Sequence, residues 1–550
     1  SQQLTPHMKF SSSAARFLTL VVALLTLLPA TAQRRRALDQ PDPDLMRKLT
    51  IAQLAITQLY VDSVDQKKLV ENAINGMLSK LDPHSAYSNP EETRRMNEPL
   101  EGNFEGIGVQ FNMLEDTLVV IQTIAKGPSQ KAGIVNGDRI VSVDGRPIAG
   151  VKLDRDSIMK LLRGPKGTKV KLGIVRPSVR DPLTFVVTRD KIPMNTLDAA
   201  YMIAPGVGYI RLDRFGATSG KEVRDAIQQL KKQGMKDLLL DLESNGGGYL
   251  GAAVEVASQF LNPKDLVVYT EGRATPKQVF DALSGGLFRK GRLVVLVDEF
   301  SASAAEIVTG AVQDHDRGLV VGRRTFGKGL VQRPIDLPDG SMIRLTTSHY
   351  FTPSGRCIQK PYTPGQKEDY SQDLEKRFKH GELLHADSIH LDSTQVFKTL
   401  VEGRKVYGGG GIMPDVFVPL DTAAYTKYYM AMRRYNLFND AALRYVDQNR
   451  TTLLERYKRF DDFEKNFEVP AELIARVEAE AAKKNVKPKD EAERKATIDD
   501  LKFVLKCLIA YDVWDRNEYY TLVNRKNDVV KEALRQLSVN RNIPTGTRSR

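Results

Sequence analysis

Two segments of the sequence hold residue types that together could activate a nucleophile. They are Ser301-Ala302-Ser303-Ala304-Ala305-Glu306 and, 25 residues beyond Ser303, Lys328 within Thr325-Phe326-Gly327-Lys328-Gly329. A serine hydroxyl is weak at its free pKa, but a lysine held unprotonated can take its proton without histidine or aspartate. A free lysine titrates near 10.4, so a base working near pH 7 needs a shift of about 3 units, which apolar burial can supply. Lys328 is therefore expected to be largely inaccessible, with Phe326 as a candidate wall. Arginine would stay charged and could not serve. Taken singly, each piece has a bland meaning: Ser303 with Glu306 fits a capping box, and Lys328 between glycines fits a solvated loop.

The surrounding pattern decides where these residues sit. Residues 237–242 and 293–297 are continuous apolar runs that read as strands buried on both faces. The first ends in Glu243-Ser244-Asn245-Gly246-Gly247-Gly248, before a helix through 254–260; the second runs into the serine motif and a helix at 306–313. With a strand at 208–212 and an amphipathic helix at 218–233, this is an α/β arrangement with serine and glycines at the carboxyl ends of strands, where open sheets build sites. Upstream, Leu45, Leu49, Leu54, Ile56 and Leu59 fall near helical spacing, as do Leu69, Ile74, Met77 and Leu81, until Asp82-Pro83-His84-Ser85 ends the run.

From residue 104 the texture changes to short strands with glycine turns, including Gly106-Ile107-Gly108-Val109 and Asn136-Gly137-Asp138-Arg139-Ile140-Val141-Ser142-Val143-Asp144-Gly145. This region resembles a PDZ domain. The resemblance implies that Gly106, Ile107, Gly108 and Val109 bind peptide, their backbone amides receiving a terminal carboxylate while the peptide adds as a strand.

Taken together, the chain resembles the carboxyl-terminal processing (tail-specific) proteases over about residues 50–420. The matching stretches include Leu81 to Ser85, Tyr209-Ile210-Arg211, Asp241 to Leu250, Ser301 to Asp314, Thr325 to Gln332, Tyr350 to Gln359 and Gly410-Gly411-Ile412-Met413-Pro414-Asp415. The resemblance implies a serine-lysine endopeptidase acting through an acyl-enzyme, with Ser303 as nucleophile, Lys328 as general base and Gln332 orienting the lysine. Ala304 and a glycine of the Gly247-Gly248 pair would supply oxyanion donors, and Glu306 and Asp314 would support the site. Ser301 is the rival nucleophile; Ser303 is preferred because its offset to Lys328 is the family's. The chain departs from the family pattern at Ala305, at Gly246 after Asn245 and at Tyr249, none of which removes a backbone donor.

The implied fold is α+β multidomain: an α/β protease core of the ClpP/crotonase-like spiral type, an inserted β-rich PDZ domain, and helical N- and C-terminal regions. Expected boundaries are 1–33 (signal peptide and leader), 34–100 (helical), 101–192 (PDZ), 193–420 (protease core) and 421–550 (helical). In the last, helices are expected at 425–438, 443–467 and 498–537. At 550 residues the chain has room for several cores. Its net charge of +13 is dispersed and no nucleic-acid motif accompanies it. Two cysteines, Cys357 and Cys507, make no disulfide framework. Met8, Lys9 and Arg16 precede an apolar run shorter than the roughly 20 residues of a membrane span, and Ala30-Thr31-Ala32 has the form of a signal-peptidase site. An exported, periplasmic protein without a stable membrane span follows. No cofactor or metal is expected; unfolded or tail-exposed proteins are the expected partners, with a homo-oligomer or adaptor left open. A triad of Ser303, His315 and Asp314 is disfavoured because consecutive helical residues point about 100° apart, and His84 is read as structural. The competing functions are a noncatalytic PDZ scaffold and a crotonase-like acyl-thioester enzyme.

Overall fold

The computed structural model describes residues 42–177, 179–390, 392–422 and 425–546. The signal peptide and leader expected at 1–33 lie outside the described residues. The chain divides at Val70 into two units. The first holds helix α1 (Pro43–Leu59), capped by Asp42 and without a buried residue, and the start of α2 (Gln66–Leu78).

The second unit begins with a short strand β1 (Ala86–Ser88), helix α3 (Pro90–Glu101) and β2 (Asn103–Gly106). Next comes the antiparallel sheet expected upstream. It runs through β3 (Val109–Leu114), β4 (Thr117–Thr123), β5 (Arg139–Val143), β6 (Arg146–Pro147), β7 (Lys169–Val175) and β8 (Leu183–Thr188), with helices α4 (Pro128–Ala132) and α5 (Arg155–Leu162). Alternate residues of these strands, among them Leu118, Val120, Ile140, Leu172 and Ile174, close a core with Ile158 and Leu162 of α5, as a sheet with one solvated face must. Among the described residues strand β3 pairs only with β4, which leaves its other edge open. β9 (Asp190–Pro193) returns to pair with β2.

The α/β body follows: β10 (Leu197–Ala204), β11 (Val207–Leu212), α6 (Ser219–Lys232), β12 (Asp237–Asp241), α7 (Leu250–Ala257), β13 (Leu266–Glu271), β14 (Gln278–Asp281), β15 (Leu293–Val297), α8 (Ala304–Asp314) and β16 (Leu319–Gly322). Beyond it lie a hairpin of β17 (Leu330–Asp336) and β18 (Met342–Phe351), helices α9 (Lys367–Ser371) and α10 (Asp373–Lys379), and strands β19 (Val396–Lys398), β20 (Lys405–Tyr407) and β21 (Val416–Phe417). One six-stranded sheet has the order β10-β11-β12-β15-β16-β21, parallel except at β10. β15 is buried at every residue, as its unbroken apolar run required. A second sheet is built on β18, which pairs with β1, β13 and β17.

The C-terminal region departs from expectation. Where three long helical stretches were expected, the described residues form seven helices, α11 (Lys427–Arg434), α12 (Leu437–Arg456), α13 (Phe460–Asn466), α14 (Ala471–Lys483), α15 (Glu491–Val513), α16 (Arg516–Val523) and α17 (Asp528–Val539), of which α14 falls between the second and third expected stretches. The breaks come at Asn436, left-handed at φ 57°, at Pro470 before α14, and at Asp515 and Asn527, whose side chains cap the next helix. This region also covers the face of a sheet. Val529, Val530, Ala533 and Leu537 of α17 pack on Leu239, Val294, Leu296 and Val321, forming the second layer of the six-stranded sheet, while α6, α7 and α8 cover the other face. Two other helices of this region, α15 and α12, hold the β3–β8 sheet: Gln110 Nε2 donates to the Tyr511 hydroxyl at 2.6 Å and Arg139 pairs with Asp447 at 2.6 Å.

Candidate active site

β12 and β15 are parallel neighbours, so their carboxyl ends deliver the glycine loop and the serine motif side by side. Ser303 stands at the head of α8 with φ 57°, ψ −116°, a strained backbone for a residue bearing a Cβ, and is half-buried. Gly247 lies against it. With φ 97°, any Cβ there would sit 2.7 Å from Ser303 Cβ and 2.8 Å from the Ala302 carbonyl, so only glycine fits. Asn245 fixes this loop. Its amide donates to the Leu212 carbonyl at 2.7 Å, and its Oδ1 accepts the Gly247 N–H at 2.8 Å. One of the two glycines named as oxyanion donors therefore has its amide already engaged, which leaves Gly248 of the pair. Ala304 is the first helical residue, whose N–H has no intrahelical acceptor.

Glu306 ties the serine to the lysine. It is fully buried, and its Oε2 accepts the amide of Ser303 at 2.8 Å and that of Lys328 at 2.9 Å. Its Oε1 accepts the Gly327 amide at 2.7 Å and the Thr325 hydroxyl. Thr325 is gripped in turn by Ile412, whose N–H donates to Oγ1 at 2.7 Å, which is why the Gly410 to Asp415 stretch belongs with the lysine loop.

Most of Lys328 is withdrawn from solvent, as the sequence led us to expect, though it is not fully buried. Burial, and then the positive charge of Arg344 on β18, hold its pKa down to about 8, against the pull of Glu306 and Asp82. Its Nζ donates to Gln332 Oε1 at 2.9 Å, and Gln332 Nε2 donates to the His84 carbonyl. Among the described residues Lys328 forms no ion pair. The ring of Phe326, expected to wall this lysine, carries the ammonium of Lys360 at 3.9 Å from its centroid and meets Tyr370 edge-on. Such a set holds an amine that gives up its proton more readily than a free lysine, on a loop that Glu306 ties to the strained Ser303.

The other expected residues are placed as follows. Ser301 is buried, its hydroxyl spent on the Leu242 carbonyl at 2.7 Å. Asp314 pairs with Arg356 at 2.6 Å, both side chains at 0% exposure, and His315 Nε2 lies 2.7 Å from the Leu266 carbonyl, so neither faces Ser303. At Gly106-Ile107-Gly108-Val109 the carbonyl of Ile107 accepts from the amide and hydroxyl of Ser129 at 3.0 and 2.7 Å, and that of Gly108 from Ile124 N–H at 3.0 Å. The residues given no functional role in the sequence reading are those of the Asp82 to Ser85 turn, together with Arg344, Tyr370 and Gln359. The turn is fixed to β18 because Asp82 Oδ1 accepts from the Thr346 hydroxyl at 2.8 Å. Only the family stretch itself could have flagged it, since its partners lie far off in sequence.

The profile of Peptidase family S41 matches residues 206–371, a PDZ domain matches 106–187, the Activating protease CtpB N-terminal domain matches 27–93, and a family of unknown function (DUF8443) matches 428–515. A carboxy-terminal-processing protease of Bartonella bacilliformis is 39% identical over 54% of this chain and 69% of its own. The carboxy-terminal processing protease CtpB of Bacillus subtilis is 35% identical over 60% of this chain and 68% of its own. A solved photosystem II D1 C-terminal processing protease shares 27% identity over 67% of this chain and 92% of that one, with a TM-score of 0.33. By this identity and coverage the chain belongs to the carboxy-terminal processing proteases of peptidase family S41, serine-type peptidases, and it carries the PDZ domain at residues 106–187.

Proposed function

We propose that the chain is an exported, periplasmic endopeptidase that recognises the carboxyl-terminal tails of proteins through its PDZ domain and cuts them with a Ser303–Lys328 dyad. The observation that carries this reading is the single oxygen of Glu306 that accepts the amides of both Ser303 and Lys328. The neutral Lys328 amine takes the Ser303 proton as Oγ attacks the scissile carbonyl; the lysine passes that proton to the leaving amine, and water releases the acyl group. Gln332 orients the amine. The N–H groups of Ala304 and Gly248 bind the oxyanion, a contribution of about 3 kcal/mol per donor in comparable sites. Glu306 and Asp314 hold the helix that carries the serine.

In this reading residues 101–192 form the tail-binding part and 193–420 the cutting part. The carbonyls of Ile107 and Gly108 are turned inward, and the amides of the Gly106 to Val109 loop receive the tail's carboxylate while the tail pairs with the open edge of β3. Export rests on the sequence of residues 1–33; among the described residues no helix is long and apolar enough to cross a membrane. The test compares cleavage of an unstructured protein with an apolar free carboxyl tail by the full chain, Ser303→Ala and Lys328→Ala, and of the same protein with its tail amidated. Both substitutions should abolish cutting and amidation should slow it. Continued cutting by Ser303→Ala refutes the nucleophile, and indifference to amidation refutes tail recognition.

A further inference from the structure

A closed circuit of hydrogen bonds surrounds the Lys328–Gln332 pair. Lys328 Nζ donates to Gln332 Oε1 at 2.9 Å, and Gln332 Nε2 donates to the His84 carbonyl. The ring of His84 meets the Tyr370 hydroxyl through Nε2 at 2.9 Å. Gln359 Nε2 donates to that hydroxyl at 3.2 Å, and Gln359 Oε1 accepts the amide of Gly329, next to Lys328, at 2.8 Å. The path thus leaves the lysine through its side chain and returns to it through its backbone.

The Tyr370 hydroxyl is the joint between the two halves. It accepts from Gln359, so its own proton is free to go to His84, which requires a neutral imidazole with an unprotonated Nε2. Burial, and then the positive charge of Lys328, hold His84 down to about 4, so the ring is neutral throughout the working range. The Tyr370 ring is independently seated, with its centroid 5.1 Å from that of His84, 6.1 Å from that of Phe326 and 4.2 Å from the ammonium of Lys360. Removing the hydroxyl therefore opens the circuit without emptying the space the ring fills.

We propose that Tyr370 is a positioning residue for the proton transfer at Lys328: its hydroxyl, held between His84 and Gln359, fixes the His84 turn and through it Gln332, and so sets the direction in which the lysine amine faces. The inference rests on the Ser303–Lys328 reading. A loosened Gln332 lets the amine turn away from the serine and lets water reach it. The first effect lowers the rate of proton transfer, and the second favours the charged lysine. The charged groups that otherwise bias Lys328 are Arg344 from β18, Glu306 from α8 and Asp82 from the turn. Tyr370→Phe removes none of these three charges.

The experiment uses the full chain and an unstructured protein substrate with an apolar free carboxyl tail, and compares wild type, Tyr370→Phe, Gln332→Ala, the double variant and Lys328→Ala. Tyr370→Phe should lower kcat about tenfold with KM within about twofold, and move the acid limb of kcat/KM to higher pH, while the melting temperature holds. In the double variant the losses should not multiply, because both substitutions act on one amine. A full-rate Tyr370→Phe, a full-rate Gln332→Ala, losses that multiply, or a change in KM alone would overturn the assignment. Cleavage by Lys328→Ala would overturn the dyad and this inference together; loss of cleavage there with an unaffected Tyr370→Phe would overturn only the inference.

Discussion

If the neutral form of Lys328 takes the serine proton, kcat/KM must follow the fraction of that lysine lacking its proton. With its pKa at about 8, about half is neutral at pH 8, about a tenth at pH 7 and about a hundredth at pH 6. Cleavage should therefore fall about fiftyfold from pH 8 to pH 6 and level off above about pH 9. An unshifted lysine near 10.4 would still gain about tenfold per pH unit at pH 9. Arg344→Met removes the positive neighbour, so the Lys328 pKa should rise by about half a unit to one unit and the rate at pH 7 should drop about three- to tenfold, recovering near pH 10. The same shift has a sign in stability. Between about 8 and 10.5 the unfolded chain binds the proton that the folded chain has lost, so unfolding free energy rises with pH through that window and the gain is absent below it. The assay is initial-rate cleavage of the tailed substrate from pH 5.5 to 10, with circular dichroism at each pH. A flat profile between pH 6 and 8 or an acid-ward move in Arg344→Met would refute the reasoning.

Two further outcomes can be checked directly. Gly247→Ala forces a Cβ to within 2.7 Å of Ser303 Cβ at φ 97°, and should cost about 1–3 kcal/mol of stability and at least about a hundredfold in acyl-enzyme burst rate, read by thermal melting and rapid-mixing titration. Arg356→Met leaves Asp314 uncompensated at 0% exposure and should cost about 3–5 kcal/mol in denaturant unfolding, much of it restored by adding Asp314→Leu.

The strands that carry the site were legible because they are buried on both faces: the runs at 237–242 and 293–297 show no alternation to confuse with a solvated strand. The helix after Ser303 was legible too, but its bland and functional readings proved compatible. Glu306 does take the Ser303 amide as in a capping box, and the same carboxylate then reaches Lys328, a contact no local pattern encodes. What escaped the sequence is long-range or conformational. Gln332 meets the His84 carbonyl 248 positions away. Asn245 takes the Gly247 amide through a turn whose shape depends on the packing of β12 against β15. In the C-terminal region Asn436 and Asn527 have helix-compatible neighbours, so the left-handed backbone of one and the capping role of the other emerge only in the folded chain.

The placement of α17 bears on when the molecule becomes a protease. Leu239, Val294, Leu296 and Val321 belong to the strands that end at the site, and their outward face is covered by Val529, Val530, Ala533 and Leu537. Those residues are synthesised long after Ser303 and Lys328, yet the sheet cannot bury its second face without them. The catalytic strands thus lean on a helix from the far end of the chain, and the layer behind Ser303 and Lys328 is complete only when α17 has docked. By the same logic, trimming the chain after residue 420 would not isolate a minimal enzyme; it would strip one layer from the catalytic sheet.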